Sequence, residues 1–151
     1  PNTDFSTGAV LTADQQNRFP RGIMAFSEST TTQAITTTEA TAFTLTFTAV
    51  ANRYYKLSYY ESILQVPSGV LAATEIRMRL NSVSGTQIHF SQAQNNSTNQ
   101  YAPAYSCARL RTFSAGSTTV VLTFKASTGS ANAFRDSTAT GFFMIEDIGP
   151  A

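Results

Sequence analysis

The chain has 151 residues, a formal net charge of +1, and 13% charged against 42% apolar residues. That length points to one domain, and 11 Phe with 6 Tyr exclude a disordered, charge-rich chain. One Cys and one His exclude an intramolecular disulfide and a zinc site of four protein ligands; balanced charge argues against a nucleic-acid partner, which needs a clustered basic face.

No stretch approaches the roughly 18 consecutive apolar residues that cross a bilayer as a helix, and no signal-peptide pattern is present. No membrane partner and no cofactor are therefore expected. Pro1 is what removal of an initiator Met leaves, so a free-standing gene product is expected, with a trimmed longer chain as the alternative.

Residues 1–21 differ from the rest. Thr12 followed by Gln15 fits a capping box, and Thr12 to Phe19 reads as one or two helical turns stopped by Pro20. So short a helix is unstable alone, and its apolar neighbours Phe5, Leu11 and Phe19 have no room for a core of their own. The expectation is a docking arm whose anchors Phe5, Leu11 and Phe19 bury against a neighbouring chain, Pro20 giving the arm its own direction. Folding back on its own domain is the alternative.

Residues 22–151 carry a period of two, the mark of half-buried strands. In 42–49 Phe43, Leu45 and Phe47 alternate with Thr44, Thr46 and Thr48, and in 53–60 Tyr55, Leu57 and Tyr59 form the inward set. The connection Val50–Asn52 has hairpin length, with Asn52 suited to a left-handed turn. Further runs are 75–80, with Ile76, Met78 and Leu80 inward, then 86–91, 105–113, 118–126 and 141–147. Leu122 and Phe124 complete the expected core.

Seven or eight strands with turn signals between them predict an all-β fold, an antiparallel sandwich or barrel. The 23 Thr and 16 Ser coat its strands in place of the charge with which monomers commonly blunt sheet edges. A sheet so coated suits packing against copies of itself.

The candidate chemistry is thin. If Ile88 and Phe90 face inward, His89 faces solvent or a neighbour, and nothing marks the nucleophile and carboxylate a catalytic His requires. Cys107 has neither a second Cys nor a helix start to activate it and reads as core. Glu146 and Asp147 are adjacent, hence on opposite strand faces, which does not suit a glycosidase pair.

Arg77 with Arg79, and Arg109 with Arg111, each share a face. On neighbouring strands they would form a basic stripe, but no aromatic side chain alternates with Arg77 and Arg79 to stack bases. Ion pairing with Glu75 or Glu61, or contact with a neighbouring chain, is the expected role of Arg77 and Arg79. No enzyme is expected.

Three segments carry a family resemblance. The start Thr7–Ala13, leading through Asn17 to Pro20–Ala25, the paired-strand stretch Leu45–Leu57 with its Asn52-Arg53-Tyr54-Tyr55 turn, and the closing Phe143–Ala151 together resemble small structural proteins of tailed bacteriophages. The paired Arg strands match no motif of that family.

The resemblance implies a virion component on the outer surface of capsid or tail. The leading form is a capsid decoration protein, assembled as a homotrimer on the major capsid protein. The alternative is a minor tail or tail-fibre protein with a carbohydrate- or receptor-binding tip, in which Tyr54, Tyr60, Tyr101 or Tyr105 would line one groove. By analogy of fold, the sandwich also looks like jelly-roll trimers of the tumour-necrosis-factor and complement type, which implies an antiparallel jelly-roll-like β-sandwich behind the N-terminal arm.

Overall fold

Alternating apolar and Thr residues make strands, and the computed structural model, which describes residues 12–151, arranges them in two facing sheets. After α1 (Ala13–Asn17) come β1 (Gly22–Ser29), β2 (Gln33–Ile35), β3 (Ala40–Ala49), β4 (Arg53–Glu61), β5 (Ile63–Leu64) and β6 (Ala73–Leu80). They are followed by β7 (Gln87–Gln94), β8 (Tyr105–Arg111), β9 (Gly116–Ala126), β10 (Ala131–Phe134) and β11 (Gly141–Pro150).

The first sheet has the order β1-β11-β4-β8 and the second β3-β9-β6-β7, with every neighbouring pair antiparallel. Among the eight long strands taken in chain order, the first sheet runs 1-8-3-6 and the second 2-7-4-5. That alternation between sheets is the double Greek key of a jelly roll. The all-β, jelly-roll sandwich expected from the sequence is the fold observed.

The strand periodicity also holds residue by residue. Phe43, Leu45, Phe47, Leu57, Ile76, Met78, Leu122 and Phe124 are all buried. Phe47 meets Tyr55 and Phe113 at centroid distances of 5.1 and 5.6 Å, in tilted and edge-on geometry, which joins aromatic rings from both sheets across the core.

Two details depart from the expectation. Residues 50–52 do not close a hairpin: β3 and β4 belong to opposite sheets, and Asn52, at φ 59°, turns the chain across the sandwich. At β7 the register shifts, so that Met78 pairs with His89 and Arg79 with Gln87. Beyond the shift Phe90 pairs with Arg77 on the outer face, where it is exposed, and His89 turns toward the interior. A one-residue slip exchanges the faces of every following side chain.

The short strands β2, β10 and β5 form a third sheet from three of the linkers at one end of the sandwich, and a bridge between Val66 and Tyr101 ties in the fourth. That end is the loop pole. The opposite end, the arm pole, collects the start of β1, the end of β11 and the short connections 50–52, 81–86 and 112–115.

Candidate functional site

Each pole is closed by a buried ion pair. At the loop pole Arg135 donates from Nε to both Glu61 oxygens at 3.0 Å and from Nη2 to Oε2 at 2.6 Å. The two side chains are 2% and 0% exposed. The Tyr59 hydroxyl adds a third donor to Glu61 at 2.9 Å. Burial, with the Glu61 charge beside it, pushes the Tyr59 phenol well above its ordinary range and keeps it a donor.

The Arg135 guanidinium carbon lies 4.8 Å from the centre of the Phe43 ring and 5.9 Å from that of Phe124, so the cation meets two aromatic rings as well as its carboxylate. A Cβ at Gly141 would stand 2.5–2.7 Å from the Glu61 oxygens and Arg135 Nε, so only glycine fits there.

At the arm pole Arg53 donates to Asp147 through Nε at 2.5 Å and Nη2 at 2.8 Å. The same guanidinium reaches the carbonyl oxygens of Asn17 through Nη1 at 2.5 Å and Phe19 through Nη2 at 2.6 Å. One buried arginine thus grips the segment that precedes β1 and fixes where it leaves the sandwich. Burial raises the Asp147 carboxyl, but the Arg53 hydrogen bonds, the Gly149 N–H and the charges of Arg53 and Arg21 outweigh it and hold the group below its ordinary range.

The outer face of the second sheet is hydroxylated and internally paired. Thr44, Thr46 and Thr48 are exposed along β3, and the Thr46 and Thr119 hydroxyls share a 2.8 Å hydrogen bond. Glu39 receives both Nε and Nη2 of Arg79 at 2.6 and 2.8 Å, Nη1 of Arg77 at 3.3 Å, and the Thr123 hydroxyl at 2.5 Å. Arg77 also pairs with Glu75 and covers the Phe90 ring at 5.4 Å. Hydrogen bonding to Arg79 holds the Glu39 carboxyl below its ordinary range against the opposing effect of burial.

The outer face of the first sheet is different. Ile23 is 61% exposed, Phe26 51% and Leu110 52%. Half-buried Phe142, Met144 and Tyr60 lie among them on β11 and β4. Phe142 is the hub, with Phe26 at 5.9 Å and Tyr60 stacked at 5.6 Å between ring centroids. The cross-strand ion pair of Lys56 with Glu146 at 3.8 Å and the exposed Glu28, opposite Phe142, interrupt this apolar surface.

Several expected residues go to different places. Phe5 and Leu11 lie outside the described residues, while Phe19 is exposed beside the Arg53 clamp. Arg77 and Arg79 lie in a different sheet from Arg109 and Arg111, so no four-arginine stripe forms. Glu75 pairs with Arg77 as expected, but Glu61 belongs to Arg135, and Glu39, which the sequence did not single out, is the main partner of Arg79.

Asp147 and Glu146 do face opposite ways, one toward Arg53 and one toward Lys56. His89 is half-buried with no hydrogen-bond partner for Nε2 among the described residues; burial and the Arg109 charge lower its basicity. The Cys107 thiol, half-buried against the core, is pushed up by burial, the opposite of a nucleophile's needs.

The tyrosines do not share a groove. Tyr54 and Tyr60 lie six residues apart on β4, roughly 20 Å. Tyr101 sits at the loop pole with its hydroxyl donating to the Gln94 carbonyl, and Tyr105 packs against Tyr59. Among the described residues no cluster of three His, Cys, Asp or Glu could hold a metal, and no helix is long and apolar enough to cross a membrane.

No protein-family model matches the chain, and no curated protein matches it. Among solved structures it is similar to the VP2 subviral particle protein of infectious bursal disease virus, at 11% identity and a TM-score of 0.49, over 99% of this chain and 37% of that one. The chain thus spans little more than a third of that neighbour. It is also similar to a pilus protein of Bacillus endospore appendages, at 12% identity and a TM-score of 0.42 over 94% of this chain and 98% of that one. A further likeness is to the module CsCBM6-3 of Clostridium stercorarium in complex with cellobiose, at 19% identity and a TM-score of 0.35 over 67% and 65%. All three are too remote to carry a role across. The class the fold itself defines is an eight-stranded jelly roll with its buried charged groups paired as fasteners.

Proposed function

We propose that this chain is a non-enzymatic structural protein of a bacteriophage virion, a decoration protein of the outer capsid surface that assembles as a homotrimer. Residues 1–21 are its docking arm and residues 22–151 the body that the arm tethers. The reading rests above all on the Arg53 clamp. A buried arginine that holds Asp147 with one part of its guanidinium and the Asn17 and Phe19 carbonyls with the rest gives the arm a fixed root at one pole. This replaces the freely directed arm expected from Pro20 alone.

The same conclusion is favoured by the use of the charges. Arg53, Arg77, Arg79 and Arg135 are all paired within the chain, and each pair closes a pole or fastens a strand.

The test is deletion of residues 1–19. The truncated body should melt cooperatively and fail to join the virion. Normal incorporation would move the attachment surface to the sandwich and refute the arm's role.

A further inference from the structure

The loop pole holds an open cavity of about 370 Å³ whose walls include Gln94, Asn95, Asn96, Asn99, Gln100 and Tyr101. That volume lies within the range of roughly 300–1,000 Å³ typical of small-ligand sites. We propose that this cavity binds a neutral oligosaccharide, with the Tyr101 ring as a stacking platform and the amides of Gln94, Asn96 and Asn99 as partners for sugar hydroxyls.

The walls are set before a ligand arrives. Asn95 is 1% exposed, and its polar atoms are all in use. Its Nδ2 donates to the carbonyls of Pro67 at 2.8 Å and Asn99 at 2.7 Å, and its Oδ1 accepts the Ser97 N–H at 2.8 Å. Its backbone N–H donates to the Ala72 carbonyl at 2.7 Å, and its carbonyl accepts the Leu71 N–H at 2.8 Å. One buried amide thus locks residues 95–99 onto the segment 67–72.

Tyr101 is pinned at both ends. Its carbonyl accepts the Val66 N–H at 2.8 Å and its hydroxyl donates to the Gln94 carbonyl, yet the residue is 43% exposed. Gln100 is tied to Gln65 at 3.0 Å and to the Ser130 carbonyl at 3.3 Å. Groups already held in place lose little freedom on binding.

The groups left over identify the ligand. Gln94, Asn96 and Asn99 are exposed, and among the described residues nothing pairs with their side-chain amides. Each amide offers two donors and an acceptor, which matches hydroxyls that both donate and accept. No Lys, Arg, Asp or Glu lines the cavity, so nothing there would pair with a phosphate, a carboxylate or an ammonium group. A sugar ring also has an apolar C–H face, and tyrosine supplies a flat, rigid surface for it at low entropic cost. A peptide would instead extend a free strand edge, and at Gln94 that edge is closed by the Tyr101 hydroxyl.

The cavity and the Arg53 clamp lie at opposite poles. A chain rooted by its arm therefore turns the cavity away from the particle, a point that rests on the docking role proposed above.

The experiment passes the labelled full chain over an array of neutral gluco-, galacto- and manno-oligosaccharides, with sialylated and sulfated glycans and neutral polar peptides beside them. Neutral glycans should be retained, and titration with the best-retained one should give a Kd on the order of 1 mM or tighter. Amide NMR signals of residues 94–101 should move in that titration. Tyr101→Ala, and Asn96→Ala combined with Asn99→Ala, alter exposed side chains. Both should keep the parent's circular dichroism and weaken binding about tenfold or more. Tyr54→Ala, at an equally exposed tyrosine on β4, should bind as the parent does.

Retention of no glycan, of acidic glycans alone or of peptides alone would overturn the proposal, as would parent affinity in the Tyr101 variant. A chain that binds glycan but is absent from virions would refute the proposed function and leave this site standing; a chain present in virions that binds no glycan would do the reverse.

Discussion

Replacing Arg135 with Met should destabilise the sandwich by about 3–5 kcal/mol, the range for stranding one member of a buried ion pair. Glu61 is fully buried and takes three of its close contacts from Arg135, at 3.0, 3.0 and 2.6 Å. In the variant the Tyr59 hydroxyl remains as a donor, one hydrogen bond against a whole charge. The Met side chain preserves contact with the Phe43 and Phe124 rings, so the loss reports the stranded carboxylate rather than a cavity.

The companion variant, Arg135→Met with Glu61→Leu, removes both charges and should recover to within about 1 kcal/mol of the parent, because buried pairs replaced by apolar groups are often neutral. Urea unfolding followed by circular dichroism measures both, with an unchanged slope certifying that only stability moved. A single variant that loses less than about 1 kcal/mol would mean that water solvates Glu61, and the loop pole would not be closed as described. A double variant as unstable as the single one would place the loss in packing instead.

Phe47→Ala should cost about 3–5 kcal/mol in the same assay, the usual loss for a buried Phe, while Thr46→Ala on the exposed face should cost under about 0.5 kcal/mol. The acid limb of stability follows from Asp147 and Glu39, whose carboxyls are held below their ordinary values in the folded chain. Their contribution is therefore complete above about pH 4–5 and is lost as pH falls through the lowered folded-state values. Asp147→Asn should flatten the fall in melting temperature below about pH 4, and an equally steep fall would remove Asp147 as its source. The truncation of residues 1–19 completes the set, separating loss of attachment from loss of stability.

The sandwich was legible because Thr is both β-branched and polar, so each Phe-Thr-Leu-Thr-Phe run declares its period and its inner face at once. What stayed hidden was of longer range. The link 50–52 has the length and the left-handed Asn of a hairpin, and only sheet membership reveals that it crosses the sandwich. The His89 and Phe90 faces depended on a register shift that no alternation pattern encodes.

The short strands β2, β5 and β10 have two to four residues each, too few for a period to emerge. Pairing between charges was partly readable: Glu75 stands two residues from Arg77, whereas Glu39 meets Arg79 from forty residues away. The Arg135–Glu61 and Arg53–Asp147 fasteners join positions 74 and 94 residues apart. The apolar outer face was visible only as scattered aromatics until β1, β11, β4 and β8 were set side by side.

The central claim, that this is a decoration protein of the outer capsid, is tested most directly by counting it. Purified virions encoding the chain would be digested, and its copy number measured by mass spectrometry against the major capsid protein. The account predicts hundreds of copies per particle, in a fixed ratio to the major capsid protein. A handful of copies would place the chain at the tail, and its absence from intact virions would contradict a structural role altogether.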